Sequence, residues 1–335
     1  MIGGSGAWEL GESGAAAPAG RPSGPMSELA KRWVVAAVGI PVVLGLLYVG
    51  GWPLAVPVAV FAALGAREIF GFAAKGGVTP LRALGAAVAA SLVLIAAWRP
   101  TFAGFAPPAL GLLAGSTAVA LVAAMTARGP SGRPLEAVAV TLFGATYAGL
   151  ALACVPLIHA LPHVWSARTS APSPPGMWDG PLLVALPLAA TWLGDALALF
   201  VGTAWGHGGL APSISPNKSW VGVWAGLAGA GLAAVVWYFV AAAVVSGLPM
   251  ARLAVPGPIV AFGVGVALGV AAILGDLVES LLKRQAGVKD SGALFPGHGG
   301  ALDRLDALAF TLPTAYVALV LVGMLAGVSG PEGAS

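Results

Sequence analysis

The chain has 335 residues, 58% of them hydrophobic and 9% charged, with a mean hydropathy of +0.92. Soluble domains hold about 45–50% apolar and about 25% charged residues, so that class is excluded. A net charge of +3, with a pI near 9.2 that comes from Lys and Arg at loop positions, gives no support to a nucleic-acid partner.

Residues 1–30 are rich in Gly, Ala, Ser and Pro and lack the basic start and short apolar core of a secretion signal. They read as a disordered tail on the cytoplasmic side. Apolar stretches follow at 33–50, 53–74, 81–98, 106–127, 135–161, 181–204, 219–246, 255–282 and 307–328. About 20 helical residues at 1.5 Å each cross the hydrocarbon, so each stretch is a span. The single cysteine, Cys154, lies in the fifth stretch and reads as packing. The proline-rich segment 162–180, with Trp165 and Trp178, reads as interfacial cover, and residues 329–335 as a loose tail. The expected fold is an all-α polytopic membrane protein of about nine transmembrane helices, with one domain over 31–328.

Basic residues set the expected orientation. With the N-terminus in the cytoplasm, the inner loops hold Lys31, Arg32, Lys75, Arg82, Arg128, Arg133, Lys218, Lys283, Arg284, Lys289 and Arg304. The outer loops hold only Arg99, Arg168 and Arg252. That asymmetry places the segment before the ninth stretch on the cytoplasmic side.

This segment is the most polar part of the chain. Residues 295–306 read FPGHGGALDRLD. Of the carboxylates in the chain, Asp276, Glu279, Asp290, Asp303 and Asp306 all fall between 276 and 306, together with Lys283, Arg284, Lys289 and Arg304. A charge near the bilayer centre costs about 2.5–3.5 kcal/mol on insertion scales, so such groups pair, line a wet cavity or hold a metal. In GDLVESLLKR, Asp276, Glu279 or Ser280, and Lys283 share one helix face. Asp303 and Asp306 are three apart, so a helix there projects both carboxylates to one side. Two such faces joined by a glycine turn can meet around Mg²⁺, which takes oxygen ligands and keeps water and substrate phosphates in its shell. The glycines free the backbone to offer N–H groups to an anion. Lys283, Arg284, Lys289 and Arg304 would face phosphate. Together these describe metal-assisted phosphoryl or nucleotidyl transfer. For Glu279 alone a plain salt bridge to Lys283 is the better reading, and His298 is as well explained as a turn residue as by substrate contact.

Ser280, Lys283, Arg284, Lys289 and Asp290, then FPGHGG at 295–300, then Asp303, Arg304 and Asp306, closely resemble the signature of phosphatidate cytidylyltransferases. The resemblance implies a multi-pass bacterial inner-membrane enzyme that joins CTP to phosphatidic acid and releases pyrophosphate. It implies Mg²⁺, with K⁺ possible beside it, and Asp276, Asp303 and Asp306 as the metal carboxylates. It further implies roles in catalysis for Lys283, Lys289, Asp290, His298 and Arg304, roles in cofactor binding for Ser280 and Arg284, and suggests a homodimer. SPNKSW at 215–220 resembles the family's SPxKTWEG loop and adds Lys218 as a phosphate-holding residue. The bland reading of that loop is a helix capped by Ser219. Gly194 and Asp195 in the sixth stretch, and Arg67 and Glu68 in the second, also look similar; Glu68 reads as a polar contact to another helix. Val221 stands where the family commonly has Glu, and Ala301 replaces a larger apolar residue. The alternatives are a CTP-dependent enzyme with another lipid acceptor, an ether lipid phosphate or a polyprenol, and a transporter.

Overall fold

The computed structural model describes residues 28–167, 175–244, 255–292, 294 and 299–325. The tails at 1–27 and 326–335 and the greater part of FPGHG, His298 included, lie outside the described residues. The described chain is helical almost throughout: α1 (Glu28–Val49), α2 (Gly51–Lys75), α3 (Arg82–Trp98), α4 (Phe102–Arg128), α5 (Pro134–Ser166), α6 (Asp179–Trp205), α7 (Trp220–Val244), α8 (Pro258–Gln285) and α9 (Leu308–Leu325). Inside a bilayer every backbone N–H and C=O must be paired within the segment, and a helix does this. Seven of these helices are long and apolar enough to span a membrane. The exceptions are α1, whose apolar described part is Ala37–Val49, and α3, Arg82–Trp98. The protein is thus an all-α, multi-pass membrane protein, and every expected span coincides with a helix.

Two groups of helices pack together. In the first, α2, α3 and α5 form a core and α4 leans on α5 and α3. Phe70 of α2 is fully buried in a socket whose walls are Gly85 of α3 and Gly144 of α5; a Cβ at either glycine would collide with its ring. In the second group, α7 packs between α6 and α8. Small residues let those backbones approach, as is usual where lipid removes the hydrophobic incentive to associate. Gly194 of α6 faces Gly226 and Ala230 of α7, and Gly265 of α8 faces Ala230. Helix α9 lies against α5, α6 and α8 and so joins the two groups.

The helix ends sort into two sets. At one end, Tyr48 donates to Met177 Sδ and His159 Nε2 lies 2.8 Å from the Leu47 carbonyl, joining the α1–α2 turn to the ends of α5 and α6. At the other, Arg133 donates to the Gly76 carbonyl and Arg284 to that of Ile214. The second end collects the loops rich in Lys and Arg.

Two local features differ from the sequence reading. Between α6 and α7 the chain makes a short antiparallel hairpin, β1 (Gly209–Ala211) and β2 (Ser215–Ser219), where a loop was expected. Its strand SPNKS has none of the apolar alternation that marks a half-buried strand. Between α8 and α9 the expected helix through 303–306 is only a 3-10 turn, Leu302–Arg304, and α9 starts at Leu308.

Candidate active site

The polar groups at the basic end form two clusters. The first is closed. Lys283 comes from the last turn of α8. Its Nζ lies 3.0 Å from Asp303 Oδ1 and 3.3 Å from Glu279 Oε2. Glu279 is fully buried and accepts no hydrogen bond within the described residues, so the Lys283 charge is what balances it. The second oxygen of Asp303 accepts from the Ser291 N–H at 2.9 Å and the Gly300 N–H at 2.8 Å, and Ser291 Oγ lies 2.9 Å from it. Burial alone would push the Asp303 carboxyl up, but the Gly300 and Ser291 donors and Lys283 outweigh it and hold it below its ordinary value.

Glu68 closes this cluster from the other helix group. It projects from α2 and accepts from the Ala301 N–H at 2.8 Å, the Leu302 N–H at 2.8 Å and the Ser291 hydroxyl at 2.6 Å. The approach is so tight that a Cβ on Gly300 would overlap the Glu68 carboxylate and the Ser291 hydroxyl. Gly299 has φ +78°, the left-handed region that favours glycine. Ala301 is fully buried here, which suits a small side chain. Arg67, the neighbour of Glu68, is exposed and points to a different helix face.

The second cluster is open. Asp276 of α8 is about one-third exposed; its Oδ2 pairs with Lys218 Nζ of β2 at 2.5 Å, and its Oδ1 accepts from Ser280 at 3.3 Å. Both charges face a cleft of about 370 Å³ between α6, α7, α8 and the hairpin, lined also by Asp195, Thr203 and Asn217. Ser219 caps α7 by accepting from the Gly222 N–H at 3.2 Å, so the capping reading of this loop and a cleft-facing Lys218 hold together. Arg284 Nε donates to the Ile214 carbonyl at 3.3 Å and ties the hairpin to α8.

Asp306 sits between the clusters. Its Oδ1 accepts from the Ala307 N–H at 2.7 Å just before α9. Burial and the Asp276 charge push its carboxyl above the ordinary value, against the Ala307 N–H, Lys283 and Arg304. Asp195 of α6 lines the open cleft, and the hydroxyl of Tyr147 on α5 is buried. The segment reaches α8 backbone to backbone: a Cβ on Gly275 would strike the Asp306 carbonyl and approach Ala307 Cα to 3.1 Å.

Of the expected site residues, the fold gathers Lys218, Asp276, Ser280, Lys283, Asp303 and Asp306 at one end, with Arg284 beside them and Arg304 exposed on the same turn. Asp303 and Asp306 have different partners: Asp303, on the 3-10 turn, meets Lys283 and the loop amides, while Asp306, beyond that turn, accepts from the Ala307 N–H. Lys289 and Asp290 are exposed and make no hydrogen bond or ion pair within the described residues. Glu68, Asp195 and Tyr147 were not among the expected site residues. A charge inside a span is a signal in itself. It marked Glu68, whose partners are the end of a loop and a 3-10 turn, where another helix was expected.

Among the described residues no three of His, Cys, Asp and Glu converge closely enough to cage a metal on their own. The donor set nevertheless suits Mg²⁺. Asp276 and Asp306 offer hard oxygens only, and Mg²⁺ is commonly held by one or two carboxylates with water and phosphate completing its shell.

A helical membrane protein with a charged cleft at one end of its bundle is the class this architecture defines. The chain belongs to the cytidylyltransferase family, whose model matches residues 30–322. A relative from Synechocystis named phosphatidate cytidylyltransferase is 29% identical over 311 residues, 87% of this chain and 97% of its own. Relatives of that name from Haemophilus influenzae and Brucella abortus are 39% and 44% identical. Those two matches span 41% and 38% of this chain, and 45% and 43% of the relatives, so they cover less than half of either protein.

Proposed function

We propose that the protein transfers the cytidylyl group of CTP to phosphatidate, giving CDP-diacylglycerol and pyrophosphate, at the cytoplasmic face of a bacterial inner membrane. The observation that carries this reading is the pairing of Lys218 with Asp276 in a cleft at the basic end of the bundle. The full-length relative named phosphatidate cytidylyltransferase supports the choice of substrates.

The triphosphate lies along Lys218 in the cleft, with Arg284, Lys289 and Arg304 as exposed cations at the same end of the bundle and Lys283 in the closed cluster beside it. The phosphatidate headgroup reaches the same cleft from the lipid. One of its phosphate oxygens attacks the α-phosphorus of CTP. The new P–O bond forms as the bond from that phosphorus to the β-bridging oxygen breaks, and pyrophosphate leaves with the electron pair. A phosphate monoester is largely dianionic near pH 7, so a strong base is not required. The protein's work is to hold two anions in line and to neutralise charge on the departing pyrophosphate. Asp276 and Asp306 would hold Mg²⁺, and Asp303 would join them only by releasing Lys283 or the loop amides. Bound there, the ion supplies charge stabilisation to the phosphates.

The test is transfer of label from α-³²P CTP to lipid by purified protein in detergent. Lipid-linked label is expected with phosphatidate and Mg²⁺, and its loss with EDTA. Label moving to an ether lipid phosphate or a polyprenyl phosphate in preference to phosphatidate would replace the acceptor. No lipid-linked label from any acceptor would overturn the reading.

A further inference from the structure

We propose that Glu68 is a positioning residue for this chemistry: from α2 it fixes both ends of the segment between Ser291 and Leu302, and so holds Asp303 and Lys283 in their working arrangement. The inference rests on the transferase reading for its kinetic part and on geometry alone for the rest.

Three donors converge on one carboxylate. Ser291 Oγ and Leu302 N–H reach Oε2, and Ala301 N–H reaches Oε1. Asp303 makes the same two-ended connection, taking Ser291 N–H on one side and Gly300 N–H on the other. Ser291 therefore lies between two carboxylates, with its hydroxyl 2.6 Å from Glu68 and 2.9 Å from Asp303. The Asp303 N–H returns a bond to that hydroxyl at 3.2 Å. Lys283 then takes its place from Asp303 Oδ1 at 3.0 Å. Placement runs from α2 through the loop ends to the Asp303 carboxylate and the ammonium beside it.

The chemistry demands a carboxylate of this length. Both oxygens face backbone N–H donors, so Gln at this position must turn its NH₂ toward one of them. Asp is one methylene shorter and cannot span to both amides. Gly292 and Gly300 complete the fit, since a Cβ on Gly292 would lie 2.6 Å from Glu68 Oε1 and one on Gly300 would overlap both oxygens. A purely structural anchor for α2 has no need of such a socket; the helix is already held by Phe70.

The experiment compares wild type, Glu68→Gln, Glu68→Asp and Gly300→Ala, all purified in the same detergent. Hydrogen exchange at Ala301 and Leu302 is read by mass spectrometry, without substrate. Exchange is expected to be faster in all three variants than in wild type, while the thermal melting midpoint stays within a few degrees. In the transfer assay, Glu68→Gln should lower kcat about tenfold or more, the cost of one unsatisfied donor on the transition-state arrangement, while KM for CTP shifts far less. Gly300→Ala, which retains the Glu68 carboxylate but pushes it off the loop amides, should reproduce the kcat loss. Unchanged amide exchange in Glu68→Gln would overturn the proposal, as would wild-type kcat in that variant. Loss of activity only in step with loss of the melting transition would overturn it too. A wild-type protein that transfers nothing to lipid while the exchange difference persists would fault the proposed reaction and leave the clamp standing.

Discussion

Asp303 and Asp276 belong to the same signature and end up at the same end of the bundle, yet they live differently. Asp303 has its oxygens filled by donors from the protein: two backbone amides and an ammonium, with the Ser291 hydroxyl beside them. Asp276 keeps about a third of its side chain exposed, in a cleft, with Lys218 as its charge partner. A carboxylate that the fold has already satisfied organises its neighbours. One that the fold leaves open has capacity for substrate or cation. Residue type and motif membership do not separate these roles; the count of donors supplied by the protein does.

The contrast can be broken or sharpened by substitution. The largest effect is expected at the closed cluster. Lys283→Met leaves the fully buried Glu279 without its balancing charge, which should cost about 3–5 kcal/mol of stability. Adding Glu279→Leu should recover most of the melting temperature but none of the activity. Failure of the second change to restore stability would show that Glu279 does not depend on Lys283. Next, Asp276→Asn at the open cluster should lower kcat about 100-fold with an unchanged melt, since the lost group would hold the cation that offsets phosphate charge and does not support the fold. A large fall in stability there would erase the distinction. Lys218→Ala should raise KM for CTP about tenfold, the worth of one charge-assisted contact, with little effect on the melt. Ser219→Ala removes the α7 cap and should cost about 1 kcal/mol, read as a lower melting midpoint, with substrate affinity changed less than in Lys218→Ala. Lys289→Ala, on an exposed side chain, should leave stability within about 0.5 kcal/mol and register only in KM for CTP or lipid.

The helices were legible because each is a long apolar run, and the face of α8 was legible because Asp276, Ser280 and Lys283 follow helical spacing. The Ser280 to Asp276 bond and the Lys283 to Glu279 pair are both four apart. Three things were not legible. The Glu68 partners are not, because 223 residues of chain separate it from Ser291 and no local pattern encodes that meeting. The hairpin is not, because Lys218 and Asn217 are placed there by their ties to the cleft and not by strand periodicity. The separate partners of Asp303 and Asp306 are not, because no helix runs through both: the 3-10 turn ends at Arg304 and α9 begins at Leu308.

The backbone joint at Gly275 has a consequence for how the site tolerates its surroundings. Main chain rests on main chain there, with no side chain as a spacer. The separation of the Asp276 and Asp306 anchor points is accordingly set by van der Waals contact of main chain on main chain, which does not vary with rotamer, and a helix tilt imposed by a thicker or thinner bilayer carries both anchor points along together. An enzyme mounted this way can keep one gauge between its two acids while the lipid around it changes with growth conditions.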